Sequence, residues 1–261
     1  MQSVVQKSTG SRLINRLSQV KELGILAALA IMCVIIGTTN PAFFSAFNLF
    51  SIGKQTSLVA IIGVGMTFVI ITGGIDLSVG SVMGLGGIVT AIMLKSGMPI
   101  PIGILGGMLT GTVIGFFNGH ISKLFGIPPL ITTLGTMNIA RGLIYVLTRG
   151  IPVYGLPEAF FLLGQGDLLG VPWLIIIAVA ISLVGHFILS MTTYGRALYA
   201  TGGNSEAARL AGMDVERIKV STFVIVSTLA ALSGILLTSR LSSGEVTAGI
   251  GWEMDVVAAV I

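Results

Sequence analysis

Apolar runs of about 17 to 22 residues recur along this chain, near 23–39, 57–73, 79–94, 100–119, 129–147, 171–190 and 220–239, each long enough to cross a ~30 Å hydrocarbon core as a helix. A further run starts at about 254. No water reaches that core, so such a segment must satisfy its own N–H and C=O groups, which a helix does. The prediction is an all-α membrane protein, a polytopic transmembrane helical bundle of about 8 helices. Composition agrees. Hydrophobic residues make up 54% of the chain and charged residues 9%, and the mean hydropathy is +1.00, outside the range of soluble domains.

The net charge of +4 is carried by cations scattered between the apolar runs, with no basic patch of the kind that binds nucleic acid. Their distribution instead predicts orientation. With the N-terminus in the cytoplasm, Lys7, Arg12, Arg16, Lys21, Lys123, Arg196, Arg209, Arg217 and Lys219 fall inside, and Lys54, Lys95, Arg149 and Arg240 fall outside. That asymmetry is the positive-inside pattern. The first run follows four of these cations but is long and lacks a small-residue cleavage site, so it reads as a retained anchor and not a signal peptide. The expected organisation is a cytoplasmic segment over 1–22, transmembrane helices 1–6 over 23–190, a charged cytoplasmic loop over 191–219, and helix 7 with the start of helix 8 over 220–261. The last apolar run is only a few residues old at Ile261; a helix stopped there would leave carbonyls unpaired in lipid, so the expectation is a C-terminally truncated chain.

Thr192 to Lys219 is the longest polar interruption. It holds Arg196, Glu206, Arg209, Asp214, Glu216, Arg217 and Lys219, out of 14 basic and 10 acidic residues in the whole chain. Within it, Asn204 suits an N-cap, Glu206 suits the positive end of a helix, Glu206 and Arg209 are spaced to pair, and Gly212 suits the position just past the end. Ala207, Leu210 and Ala211 would share one side. A helix of about two turns is marginal alone in water and needs a surface to lie on. Asp214 is placed to cap the next membrane helix.

Gly103, Gly107, Gly111, Gly115 and Gly119 recur at strict i+4 spacing and clear one helix face for close approach of a neighbour; packing is favoured over substrate contact. Gly73 to Ser81 is a polar, glycine-rich break containing Asp76. An acid inside a membrane is costly and usually functional, but Asp76 at the cytoplasmic interface would cap a helix starting at Leu77. Both readings stay open. Thr132, Thr133, Thr136, Asn138 and Arg141 share one helix and either line a polar pathway or hydrogen-bond between helices. The candidate pathway residues are Asp76, Ser78, Asn118, Thr132, Thr136 and Asn138.

Cys33 stands alone, and His120 and His186 lie near helix ends without partners, so no metal site or cofactor is expected. Leu241 to Glu245, Leu-Ser-Ser-Gly-Glu, has the look of an ATP-binding-cassette signature, but no Gly-x-x-x-x-Gly-Lys-Ser/Thr loop exists to hold a triphosphate. No nucleophile elbow or metalloprotease motif occurs either, so the chain is not expected to be an enzyme.

Four blocks in order resemble one family: Ile-Thr-Gly-Gly-Ile-Asp-Leu-Ser-Val-Gly-Ser at 71–81, Gly-Ile-Pro-Pro-Leu-Ile-Thr-Thr-Leu-Gly-Thr-Met at 126–137, Gly-Arg-Ala-Leu-Tyr-Ala-Thr-Gly-Gly-Asn-Ser-Glu-Ala-Ala-Arg-Leu-Ala-Gly at 195–212, and Trp-Glu-Met-Asp-Val-Val-Ala-Ala-Val-Ile at 252–261. They look like the permease subunits of ribose-type sugar importers of the ATP-binding cassette (ABC) superfamily, from about residue 40 onward. The resemblance implies a bacterial inner-membrane subunit paired with a second permease copy, a cytoplasmic ABC ATPase and a periplasmic sugar-binding protein. It implies alternating access for a sugar or similar polyol. It also implies that Gly202, Asn204, Glu206, Ala207, Ala208, Arg209 and Gly212 couple to the ATPase. Two other readings remain. An ion-coupled secondary transporter would use Asp76 and needs further acids deep in other helices; a non-transporting scaffold would not need the polar break.

Overall fold

The structure is a computed structural model that describes residues 22–261. The segment expected in the cytoplasm over 1–22 lies, apart from Glu22, outside the described residues. The chain divides into two units, residues 1–52 and 53–261.

In the first unit, α1 spans Glu22–Thr39 and a 3-10 turn spans Pro41–Phe44. Asn40 caps that turn, its side-chain oxygen accepting from the Ala42 N–H at 3.1 Å, and Pro41 supplies the fixed φ of a first helical position. The next helix, α2 (Ala46–Ile71), begins in this unit.

The second unit holds the rest of α2, then α3 (Val79–Lys95), α4 (Ile100–Phe125), α5 (Pro129–Thr148), α6 (Glu158–Gln165), a two-residue strand pair (β1, Asp167–Leu168; β2, Val171–Pro172), α7 (Trp173–Met191), α8 (Thr193–Gly203), α9 (Ser205–Leu210), α10 (Val215–Leu241) and α11 (Trp252–Val260). Each expected span finds a helix. Five of them (α2, α4, α5, α7 and α10) are long and apolar enough to cross a membrane, with shorter apolar helices at Leu26–Thr39 and Val79–Lys95. Three short helices, α6, α8 and α9, are additional to those spans.

The layout is read from burial and not from apolarity, since lipid-facing and central helices are equally apolar. In α10, 67% of the apolar window is buried, against 17% in α7, so α10 is the central post and α7 turns Val179, Leu183, Val184 and Phe187 outward, as lipid-facing helices do. Nearly every residue of α3 from Val79 to Ala91 is buried, the mark of a core helix. Around these, Leu58, Ile61, Ile62 and Met66 of α2 pack with Val79, Val82, Met83, Val226 and Ala230 in one apolar cluster.

The glycine stripe is buried along its whole length. A Cβ on Gly103 would meet the Leu94 side chain at 2.7 Å, and one on Gly107 would overlap the Thr90 hydroxyl. Further down, Cβ atoms on Gly111 and Gly115 would overlap the Ser227 and Phe223 carbonyls, and one on Gly119 would meet the Val220 Cα at 2.8 Å. One face of α4 therefore lies on α3 at its start and on α10 along the rest. Thr112 and Thr228 hydroxyls, 2.8 Å apart, tie the same contact.

At the end of α10, Ser239 Oγ donates to the Phe160 carbonyl at 2.6 Å and accepts from Gly164 N–H at 2.8 Å, which anchors α6. The chain then turns back. Gly244 bridges to Val153 and lies against Ala91 and Ile88; Ala248 lies against Gly84, and Gly249 against Gly80. Residues 244–249 thus run down beside α3 from near its last turns to its first, before α11 begins.

Candidate functional site

Two places concentrate polar chemistry: the break before α3, and the charged segment between α7 and α10.

At the break, Asp76 is fully buried, not at an interface. Its Oδ2 accepts from Ser227 Oγ at 3.5 Å, and Ser227 lies near the middle of α10, a helix of 27 residues and so about 40 Å long. The carboxylate is thus enclosed between the middle of α10, the last third of α4 and the first turns of α5. It does not cap a helix at Leu77 either. The helix starts at Val79 with Ser78 as its N-cap, and Asp76 Oδ1 accepts from the Ser78 N–H at 2.8 Å and the Ser78 hydroxyl at 2.6 Å. The reason is the turn: Gly73 takes φ +81°, a left-handed value that glycine adopts freely, and the chain folds back into the protein.

A buried carboxylate needs hydrogen bonds to be tolerated, and this one sits in a hydrogen-bonded cluster. Asn118 Nδ2 donates to Ser78 Oγ at 3.0 Å. Thr133 Oγ1 accepts from the Leu77 N–H at 3.2 Å and donates toward the Ile75 carbonyl at 3.4 Å, so α5 pins the break from the other side. Of the candidate pathway residues, Asp76, Ser78 and Asn118 are brought together. Thr132 is buried nearby in sequence on α5 with an unpartnered hydroxyl. Thr136 bonds back to the Thr132 and Thr133 carbonyls. Asn138 is exposed, its amide donating to Leu134 O at 2.8 Å.

In the charged segment, the expected short helix is α9. Asn204 Oδ1 accepts from the Ala207 N–H at 2.9 Å. Its far end closes with Met213 N–H to Ala208 O and Gly212 N–H to Arg209 O, both 3.0 Å, with Gly212 at φ +84°: the paired-bond glycine stop of many helices. Arg209 reaches Glu206 at 3.3 Å and Glu216 at 3.4 Å. These groups are exposed, so the pairs orient more than they stabilise. Ala208 is buried against its own chain, while Ala207 and Ala211 are exposed and Leu210 is 82% exposed. The face on offer is therefore Ala207, Leu210 and Ala211.

The sequence reading did not find α8. Its signals are an N-cap Thr192, whose hydroxyl accepts from the Gly195 N–H at 3.1 Å, and buried Leu198 and Thr201. Two glycines at its end and low hydropathy masked them. This helix seats α9: Gly202 closes onto the Ile71 carbonyl at the end of α2, and Tyr194 bonds the Ser221 hydroxyl of α10. Burial pushes the Tyr194 hydroxyl up from its ordinary value, so it stays a neutral link.

The family model for branched-chain amino acid transport system permease components matches residues 48–261. The ribose import permease protein of Haemophilus influenzae is 43% identical over 90% of this chain and 74% of that relative. The ribose import permease protein of Bacillus subtilis is 38% identical over 92% and 76%, and the L-arabinose transport system permease protein of Escherichia coli K12 is 37% identical over 92% and 73%. The chain belongs to the ribose-type family of ABC importer permeases. No solved structure matches it. The permease is a multi-pass bacterial inner-membrane subunit of an ATP-driven importer; a separate ATPase chain hydrolyses ATP and a substrate-binding protein works with it.

Proposed function

We propose that this permease carries a pentose, ribose or arabinose, across the inner membrane as one half of a permease pair, by alternating access. The observation that carries the substrate class is that relatives named for ribose and for L-arabinose align over nine-tenths of the chain or more. The cations on either side of the spans support a cytoplasmic N-terminus, which puts α8 and α9 in the cytoplasm. There the exposed face of α9 receives the ATPase, with Gly202, Asn204, Glu206, Ala207, Arg209 and Gly212 shaping the contact and Ala208 supporting it from beneath. Asp76, Ser78 and Asn118 form the hinge of the pathway wall, and Thr132, Thr136 and Asn138 continue it along α5.

Expressed with its ATPase and binding protein in cells stripped of pentose permeases, the chain is expected to restore uptake of labelled ribose or L-arabinose and not of leucine. Leucine uptake without pentose uptake would overturn the substrate class.

The hinge carries its own prediction. Asp76→Asn keeps an oxygen for Ser78 and offers an amide to the Ser227 hydroxyl. Asp76→Asn is expected to keep most transport and nearly all thermal stability. Asp76→Leu orphans the Ser78 and Ser227 hydroxyls and should lose about 1–3 kcal/mol of stability. Transport as low in Asn as in Leu, at wild-type melting, would show that the charge itself is needed.

A further inference from the structure

The end of residues 244–249 and the start of α3 meet at one level inside the bundle, because Gly249 lies against Gly80, two residues into α3, and Arg141, in the middle part of α5, bonds the Val246 and Ala248 carbonyls. Two helices, α3 and α11, therefore begin inside the bundle within a turn of each other. Interrupted helices of this kind place free N–H groups and polar backbone at membrane depth, and such backbone is tolerated only where protein or a water-filled cavity receives it.

A cavity of about 190 Å³ opens there, lined by Ser81, Asn138, Arg141, Tyr145 and Glu253 with Met137 and the Ile250–Gly251 backbone. Its volume equals about six liquid waters, the scale of one monosaccharide. Asn138, Arg141 and Tyr145 fall at i, i+3 and i+7 on α5, one helix face. Both hydrogen bonds of Arg141 leave from Nη1, to Val246 O at 3.2 Å and Ala248 O at 3.0 Å. That atom fixes the returning segment, and Nη2 and Nε have no protein acceptor among the described residues. Glu253 lies against Gly80, in the first turn of α3, and makes no ion pair among the described residues. Asn138 spends only Nδ2, on its own helix. Lipid would penalise this set of half-exposed polar groups at that depth, so the face they form looks onto an aqueous path.

We propose that Arg141, Glu253, Asn138 and Tyr145 form the sugar-contact site of the permease, at the meeting point of the two helix starts. The proposal rests on the pentose reading above. The chemistry fits a neutral polyol: Arg141 donates two N–H groups, Glu253 and Asn138 Oδ1 accept from neighbouring hydroxyls, and Tyr145 offers a ring face and a hydroxyl. Gly80 matters because any side chain there would overlap the Gly249 carbonyl and close on Glu253.

The test uses the assembled importer, permease with ATPase and binding protein, in proteoliposomes, with labelled ribose and L-arabinose as probes. Asn138→Ala is the decisive variant, because Asn138 is exposed and bonds only its own helix, so its loss removes no packing. Uptake is expected to fall about tenfold in Asn138→Ala and in Glu253→Gln, the loss of one good hydrogen bond to the travelling sugar. Both proteins should still co-purify with the ATPase. A thiol placed by Asn138→Cys in a Cys33→Ser background should be reached by a hydrophilic thiol reagent during turnover and protected by saturating sugar. Wild-type pentose uptake with unchanged rates in both variants and no protection overturns this site alone. Absence of pentose uptake in the wild-type importer overturns the substrate reading and this site with it.

Discussion

Ala207→Glu is expected to leave the permease inserted in the membrane but stripped of its ATPase. Ala207 sits on the exposed side of α9 beside Leu210 and Ala211, an apolar face on a six-residue helix otherwise rimmed by charge. A leucine 82% exposed beside two alanines on a capped helix makes an apolar face that a partner's groove can receive. A carboxylate added there would be buried without a partner when the ATPase docks, at a cost of roughly 2–5 kcal/mol. The helix itself keeps its Asn204 cap and its glycine stop, so the fold has no reason to change. Pull-down through the ATPase reads the effect, and sugar-stimulated ATP hydrolysis should be lost with it. Full co-purification and full stimulation would place the ATPase contact elsewhere. Leu210→Asp should behave the same way, whereas Arg209→Gln, which removes exposed ion pairs but leaves the apolar face, should weaken the complex less than Ala207→Glu does.

Gly111→Leu is expected to be among the most damaging single changes in the membrane region. A Cβ alone would overlap the Ser227 carbonyl and sit 2.6 Å from the Ala231 Cβ, and both belong to the central helix. Backbone cannot rotate away as a flexible side chain can, so α4 and α10 must separate. Overpacking of this sort costs about 1–3 kcal/mol and more where the surroundings are rigid. Because Asp76 bonds Ser227 one turn before Ala231, the separation also pulls at the hinge. The detergent-solubilised protein should melt well below the wild type or fail to purify as one species. Leu109→Ala, on the outward face of the same helix at 61% exposure, should melt within a degree or so of it. Equal melting for Gly111→Leu and the wild type would mean that the glycine face does not bear the packing.

The spans were legible because lipid selects apolar length, and that signal is local. Their ends were not. Helix α2 begins at Ala46, well before the expected 57, since Asn48, Lys54, Gln55 and Thr56 look like loop yet continue one helix. The cap, ion pair and glycine stop of α9 could be read residue by residue because each is made within a few positions. Helix α6 could not, for its anchor is Ser239, 75 to 79 residues away. The polar break at 73–81 was visible, but its burial was not: only contact with Ser227, 151 residues on, and with α4 and α5 shows that Asp76 is enclosed by helices and not on a surface. The returning segment 244–249 was missed for the same reason. Its Gly-Glu-Val-Thr-Ala-Gly composition reads as a surface loop until Gly80 and Gly84 reveal the groove that receives it. Glu253 was passed over with it, being one of two acids, with Asp255, in an otherwise apolar final run.

On the proposed reading, this permease is a passive subunit whose energy enters through α9 from a separate ATPase. Labelled pentose uptake into proteoliposomes, measured with and without each component, tests it most directly. The account predicts accumulation that requires the permease, the ATPase, the binding protein and ATP together, and that persists when proton and sodium gradients are collapsed. Accumulation driven by an imposed ion gradient in the absence of ATP and the ATPase would contradict it.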